Sequence, residues 1–112
     1  MISRSDMNPI TAHLERGIFR AYVLWMCSVE ERCGDDFMHL EMEHGHILSP
    51  GKLYPVLKEL TGIGLLEVRI KKEHGKIHKY YKTTEKGLNA LNQAKEELGF
   101  PMKKFIRMWL FD

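Results

Sequence analysis

The spacing of apolar residues along the chain changes from helical to alternating near residue 65 and returns to helical at residue 84. Apolar and charged side chains alternate from Leu66 to Ile70, which is typical of a strand with one buried face. A turn centred on His74 and Gly75 follows. In the second strand one face is predicted to carry Ile77, Lys79, Tyr81 and Thr83, and the other His78, Tyr80 and Lys82. The segment 65–83 is therefore predicted to be a β-hairpin placed between helical segments.

Three helical segments precede the hairpin and one follows it. Thr11 and Thr84 are predicted to cap the first and the last helix, and the segment 99–101, Gly-Phe-Pro, is predicted to break or kink the last one. The predicted elements are a first helix at 11–31, a helix-turn-helix at 34–60, the hairpin at 65–83 and a final helix or pair of helices at 84–111. This order predicts a single domain, 1–112, of mostly helical α+β class with a winged helix-turn-helix fold.

The composition is that of one folded domain rather than a disordered or membrane-spanning chain. Its 112 residues, 44% hydrophobic and 29% charged, suffice for a single modest core. No apolar run is long enough to cross a bilayer, and the first residues lack the apolar centre of a signal peptide. A cytoplasmic location without membrane contact is therefore expected. Cys27 and Cys33 are the only cysteines, and in that compartment we expect two reduced thiols.

One predicted helix, in the stretch SPGKLYPVLKEL from Ser49 to Leu60, carries a proline inside its helical pattern. Ser49 is a suitable N-cap, and four apolar residues recur at helical spacing after it. Pro55 removes one backbone hydrogen bond and crowds the carbonyl of Gly51. Two interpretations stay open. A loosened first turn could present backbone N–H groups to a phosphate, or the proline only kinks the helix to fit its neighbour.

Two blocks of the sequence resemble the PadR family of bacterial and archaeal transcriptional regulators. The block at 49–68, SPGKLYPVLKELTGIGLLEV, matches the family pattern Ser-Pro-Gly-x-Leu-Tyr-Pro-x-Leu followed by a leucine, a glycine and the first wing strand. The block at 75–91, GKIHKYYKTTEKGLNAL, is similar to the second wing strand and the next helix start, with paired tyrosines, Thr84 and Gly87. Thr83 departs from the family pattern, where a leucine is usual.

The resemblance implies a DNA-binding homodimer, usually a repressor, whose C-terminal helix pairs with the partner subunit. Some members bind hydrophobic small molecules between the subunits and release DNA. The implied partners are therefore duplex DNA, a second copy of the chain and a hydrophobic small-molecule effector. On this basis we predict a sequence-specific repressor that acts as a homodimer on a palindromic operator. The alternative is a winged-helix dimer that serves as a protein-interaction module and does not bind DNA.

Basic residues are concentrated in the middle of the chain, where a polyanion is expected to bind. Residues 1–48 hold four basic and eight acidic side chains, whereas residues 49–86 hold nine basic and four acidic ones. A protein-interaction module that does not bind DNA would not require basic residues to be clustered in this segment. A single lysine is more often a solvated surface charge, but five lysines of the third helix and hairpin are expected to share one face. The predicted DNA-binding residues are Ser49, Gly51, Lys52, Tyr54, Pro55, Lys58, Lys72, Lys76 and Lys79.

Large apolar residues near the two ends of the chain exceed what a small core can hold. Aromatic residues in a first and a last helix are most simply explained as a dimer interface. The predicted interface residues are Leu14, Ile18, Trp25, Leu98, Phe105, Met108 and Trp109. A ligand chamber lined by the same residues is the sharper and less common explanation of such an apolar stripe.

The sequence lacks the patterns of a metal site, a cofactor site or an active site. Two cysteines and three histidines lie between Cys27 and His46, but without the close ligand pairs of zinc sites. A metal-responsive regulator is therefore only the third hypothesis. The chain also has no glycine-rich phosphate loop, no nucleophile elbow and no paired carboxylates backed by a histidine. We predict no metal, no cofactor and no enzymatic activity.

Overall fold

The computed structural model describes residues 8–44 and 50–111, and in these residues it contains four helices and three strands. In chain order they are α1 (Pro9–Val29), β1 (Arg32–Cys33), α2 (Gly34–His44), α3 (Pro50–Gly62), β2 (Leu66–Glu73), β3 (Lys76–Thr83) and α4 (Glu85–Phe111). α2 and α3 form the helix-turn-helix, and β2 with β3 forms the hairpin, called the wing below. The predicted mostly helical winged helix-turn-helix is confirmed. Within these ranges no helix is long and apolar enough to cross a membrane.

The first helix is capped by Asn8 and not by the predicted Thr11. The side-chain oxygen of Asn8 accepts a hydrogen bond of 2.9 Å from the N–H of Ile10. Pro9 occupies the first helical position, where its missing N–H is not needed. α1 ends at Val29, before the predicted residue 31, because Glu30 has an extended backbone.

The core lies between α1, α2, α3 and the base of the wing. α3 contributes the apolar residues of its predicted inner face, all of them buried: Leu53, Val56, Leu57 and Leu60. Phe37 of α2 and Leu66 of β2 are buried with them, against the core-facing side of α1. On that side of α1, burial raises the pKa of the Cys27 thiol to about 12, so the thiol stays protonated and packs as a small apolar group.

The wing belongs to a three-stranded antiparallel sheet in which β3 is the central strand. β2 and β3 pair along their whole length, with Leu66 opposite Thr83 at the base. His74 and Gly75 form the turn with positive φ angles of 51° and 79°, as a two-residue hairpin turn of this kind requires. This turn determines which residues of the two strands face each other and therefore which side chains share a face of the wing.

The third strand, β1, was not predicted. Its residues Arg32 and Cys33 pair with Tyr81 and Tyr80 on the free side of β3. The N–H of Cys33 also donates a hydrogen bond of 2.9 Å to the carboxylate of Asp36, which joins the strand to the first turn of α2. Two residues are too few to show the alternation by which a strand is recognised in a sequence.

α4 is a continuous helix that passes through Pro101. The predicted break at 99–101 is therefore wrong. Because Pro101 has no backbone N–H, the Glu97 carbonyl loses its hydrogen bond within the helix. On an exposed helix a water molecule can donate to that carbonyl instead. Only the first turns of α4 pack on the domain, through the buried Gly87 and the half-buried Leu91. The rest of the helix extends away with its large apolar side chains exposed.

Candidate nucleic-acid interface

The outer face of α3 consists of residues that were predicted to contact DNA. Gly51, Tyr54, Pro55 and Lys58 are exposed, because the apolar residues between them face the core. The helix continues through Pro55. Because proline has no backbone N–H, the carbonyl of the exposed Gly51 lacks its hydrogen bond within the helix. Ser49, the predicted cap, lies outside the described residues.

Tyr54 connects this face of α3 with the wing. The tyrosine lies so close to Gly34 that a Cβ added there would be 2.5 Å from the Tyr54 hydroxyl oxygen. The tyrosine remains 51% exposed. It lines a cleft of about 360 Å³ together with Ile77 and Lys79 of β3. The outer face of α3 and one side of the wing therefore form a single concave surface.

Lys52 is held within the molecule and does not extend freely into solvent. Its ammonium group forms an ion pair with Glu15 of α1, and the two side chains are 30% and 33% exposed. A second ion pair joins the same helices, since Arg20 Nε donates to the Glu59 carboxylate at 2.6 Å. This hydrogen bond lowers the pKa of Glu59. Lys52 can therefore reach a phosphate only by leaving Glu15.

The wing has two chemically different faces because its side chains alternate. The inner wing face continues from the core and carries, beyond the base pair Leu66 and Thr83, the residues Val68, Ile70, Lys72, Ile77, Lys79 and Tyr81. The outer wing face carries Glu67, Arg69, Lys71, Glu73, Lys76, His78, Tyr80 and Lys82. The expectation that all five lysines share one face is wrong for Lys76. The turn places Lys76 opposite Glu73 and hence on the outer wing face, away from Lys72 and Lys79.

Some of the charges on the outer wing face are engaged within the protein, whereas Lys76 and Lys82 are exposed. Lys71 pairs with Glu31 and lies 4.7 Å from the centroid of the Tyr80 ring. The hydrogen bond from Lys71 lowers the pKa of Glu31. The Tyr80 hydroxyl donates a hydrogen bond of 3.1 Å to Glu73, which raises the pKa of Tyr80 to about 12.

The inner wing face differs in having cations and no carboxylate. Lys72 and Lys79 are exposed, and neither takes part in any of the ion pairs found in the described ranges. Together with Lys58 on α3 they give the concave surface three lysines that are available to a polyanion. Lys58 likewise takes part in none of the ion pairs found among the described residues, so these three side chains, unlike Lys52, have no such pair to break before they bind.

All seven residues predicted to form a dimer interface are exposed. They are Leu14, Ile18 and Trp25 on α1, and Leu98, Phe105, Met108 and Trp109 on α4. α1 therefore has two apolar faces, one in the core and one in solvent. On α4 the rings of Phe105 and Trp109 stack with centroids 5.9 Å apart, and each remains more than half exposed.

The histidine- and cysteine-rich segment gives no assembled metal site in the part that is described. Among the described residues, no three Cys, His, Asp or Glu side chains lie close enough to hold a metal ion together. Burial raises the pKa of the Cys33 thiol as well as that of Cys27. His46 lies outside the described residues.

Solved structures of several bacterial regulators are similar to this fold. A PadR family transcriptional regulator from Eggerthella lenta is 24% identical, with a TM-score of 0.77 over 92% of this chain and 91% of that chain. A PadR-like transcriptional regulator from Bacillus cereus is 26% identical, with a TM-score of 0.75 over 89% of this chain and 99% of that chain. A transcriptional regulator from Clostridium thermocellum is 20% identical, with a TM-score of 0.74 over 88% of this chain and 98% of that chain. No curated protein matches the chain.

A family model provides the assignment that these distant structural likenesses alone do not. The model of the Transcriptional regulator PadR-like family matches residues 24–93. That range runs from the second half of α1 through the helix-turn-helix and the wing into α4, and it covers more than half of the chain. The chain therefore belongs to the PadR-like family, whose members are DNA-binding transcriptional regulators and not enzymes.

Proposed function

We propose that this chain is a cytoplasmic repressor that binds a palindromic operator in duplex DNA as a homodimer. The observation that carries the proposal is the concave surface between α3 and the inner wing face, with its three available lysines, Lys58, Lys72 and Lys79. In helix-turn-helix proteins the second helix of the motif lies in the major groove, and that helix is α3 here. Repression needs no further chemistry, because a dimer bound over a promoter excludes the polymerase.

The homodimer is supported by the amount and the position of exposed apolar surface. Among the described residues, α1 exposes Leu14, Ile18 and Trp25, and α4 exposes Leu98, Phe105, Met108 and Trp109. Exposed apolar patches of this kind mark protein–protein interfaces. A twofold-symmetric dimer presents two copies of α3, which match two inverted half-sites.

Selection from a random duplex library tests the proposed operator. We expect the selected sequences to converge on an inverted repeat, with half-site centres about one helical turn, or a multiple of it, apart. A direct repeat or a single half-site would contradict a twofold dimer. The absence of any enriched sequence would contradict sequence-specific binding.

Glu15→Gln is expected to strengthen DNA binding, because it releases Lys52 from its ion pair. Each dimer would then offer two further lysines, and log affinity would fall more steeply with log salt, with a slope changing from about −5.4 to about −7.2. At moderate salt we expect the affinity for the operator to rise roughly tenfold. Titrations at several salt concentrations measure both changes.

Glu96→Gln is the matched control for this prediction. It removes the same charge from an exposed position on α4, away from α3, and should leave the slope unchanged. An equal effect of both substitutions would show that net charge, and not the release of Lys52, changes the affinity.

A further inference from the structure

We propose that Ile70 and Ile77 of the inner wing face pack into the DNA minor groove and make the protein prefer A·T pairs beside each major-groove half-site. The proposal rests on the DNA binding proposed above. It assigns part of the sequence preference to two side chains that form no hydrogen bond.

The two isoleucines form an exposed apolar pair at the tip of the wing. They are 68% and 70% exposed, although each lies in a regular strand. Ile70 faces Lys79 across the hairpin and Ile77 faces Lys72. The isoleucines are therefore diagonal neighbours, roughly 7–8 Å apart, and the two lysines occupy the other diagonal. The tip thus presents a small apolar centre with a cation on each side.

The absence of carboxylates from the inner wing face favours DNA as the occupant of this surface. The inner wing face has no carboxylate, whereas Glu67 and Glu73 both lie on the outer wing face. A minor groove offers the complementary arrangement, with deoxyribose walls for the apolar centre and phosphates along both rims for Lys72 and Lys79. Proteins that bind in this groove often insert apolar side chains into it.

The cleft between α3 and the wing places the wing tip at the minor groove. Tyr54 of α3 lines this cleft with Ile77 and Lys79. When a helix lies in the major groove, one sugar-phosphate strand separates it from the adjacent minor groove. In the proposed complex that strand lies between α3 and the wing, where Asp35 also lines the cleft beside Lys79, and the side chains on the far side of the strand meet the minor groove.

The preference for A·T follows from the functional groups on the floor of the groove. A G·C pair carries the N2 amino group of guanine there, whereas an A·T pair presents only acceptors. An isoleucine packed against that amino group takes the place of its water and leaves a buried donor unpaired.

Inosine substitution tests the proposal without changing the major groove. An I·C pair lacks only the N2 amino group, so it keeps the major-groove edge of G·C and presents a minor groove like that of A·T. We expect the wild type to bind an operator with I·C flanks roughly tenfold more tightly than one with G·C flanks. The double variant Ile70→Ser, Ile77→Ser should bind the two duplexes equally. Its salt slope should not change, because no phosphate contact is lost.

Two variants control for general effects of substitution. Ile63→Ser changes another isoleucine, 52% exposed, in the turn after α3, and should keep the inosine preference. Lys79→Ala should keep the preference and flatten the salt slope. No preference in the wild type, or an equal preference in the double variant, would overturn the inference and leave the proposed function in place. Failure of the wild type to bind any duplex at low salt would overturn both.

Discussion

Trp109→Glu is expected to convert the protein from a dimer into a monomer with the 13.1 kDa mass of one chain. Trp109 is 59% exposed and stacks on Phe105, in the stripe that also contains Leu98. A carboxylate at this position would be buried without a partner in the proposed interface. Tryptophan is also among the residues whose loss weakens interfaces most.

The expected size of the effect follows from the symmetry of the proposed dimer. Each dimer contains two copies of Trp109, and a loss of about 2 kcal/mol at each copy raises the dissociation constant of the dimer roughly a thousandfold. The monomer keeps only half of the phosphate contacts, so the salt slope of DNA binding should also fall by half, to about −2.7. Sedimentation equilibrium measures the first change, and titration of the operator measures the second.

Arg107→Glu is the control for the dimer prediction. Arg107 is exposed and lies two residues before Trp109, about 200° around the helix from it. The substitution Arg107→Glu introduces a glutamate on the opposite side of α4 and should leave the dimer intact. A wild-type chain that sediments as a monomer at all concentrations, or a Trp109→Glu variant that remains a dimer, would contradict the proposed interface. Far-UV circular dichroism checks that the variants remain folded.

Gly87→Ala is expected to lower the free energy of unfolding by about 2–3 kcal/mol, although alanine favours helices by about 1 kcal/mol. A Cβ at Gly87 would lie 2.3 Å from the Leu65 carbonyl oxygen and 2.6 Å from Cγ2 of Thr83. Relief of this overlap requires α4 to move away from the base of the wing. The movement would disturb Thr84, whose N–H donates to the same Leu65 oxygen at 3.0 Å. The Thr84 hydroxyl also donates to Gly64 O at 2.6 Å and accepts from the Gly87 N–H at 3.1 Å.

Thermal unfolding at a fixed protein concentration measures this loss, and we expect a decrease of roughly 10–15 °C in Tm. Gly62→Ala is the matched control, since a Cβ at the end of α3 would meet no atom within 4 Å. It should leave Tm unchanged or raise it slightly, because alanine favours the helix. A Gly87→Ala variant as stable as the Gly62→Ala variant would show that α4 does not need this close approach.

Features that depend on local spacing were predictable from the sequence. The inner face of α3 follows from four apolar residues at helical spacing, and these residues are buried as expected. The wing follows from alternation and from the turn at His74 and Gly75. The alternation also places Ile70 on the same face as Leu66, but its implication that this face is buried is wrong beyond Leu66, because the core reaches only the base of the wing and Ile70 is 68% exposed.

Features that depend on contacts between distant segments were not predictable. The ion pair between Lys52 and Glu15 joins residues on two helices, and no linear pattern relates them. Thr83, which departs from the leucine usual in the family, is buried and donates a hydrogen bond of 2.7 Å to the Leu24 carbonyl of α1. The Thr83 hydroxyl therefore has a hydrogen-bond partner although it is buried. That partner is available only because α1 packs on the base of the wing.

A salt-dependent titration of the wild type with the selected operator, and with a scrambled duplex of the same composition, tests the central claim most directly. Six phosphate contacts per dimer, from Lys58, Lys72 and Lys79, predict tight binding to the operator alone and a slope of log affinity against log salt of about −5.4 between about 50 and 300 mM. In Lys58→Ala the slope should become shallower by about 1.8, because each dimer loses two contacts. Equal affinity for the two duplexes, or no binding at the lowest salt concentration, would contradict the claim that this chain is a sequence-specific regulator.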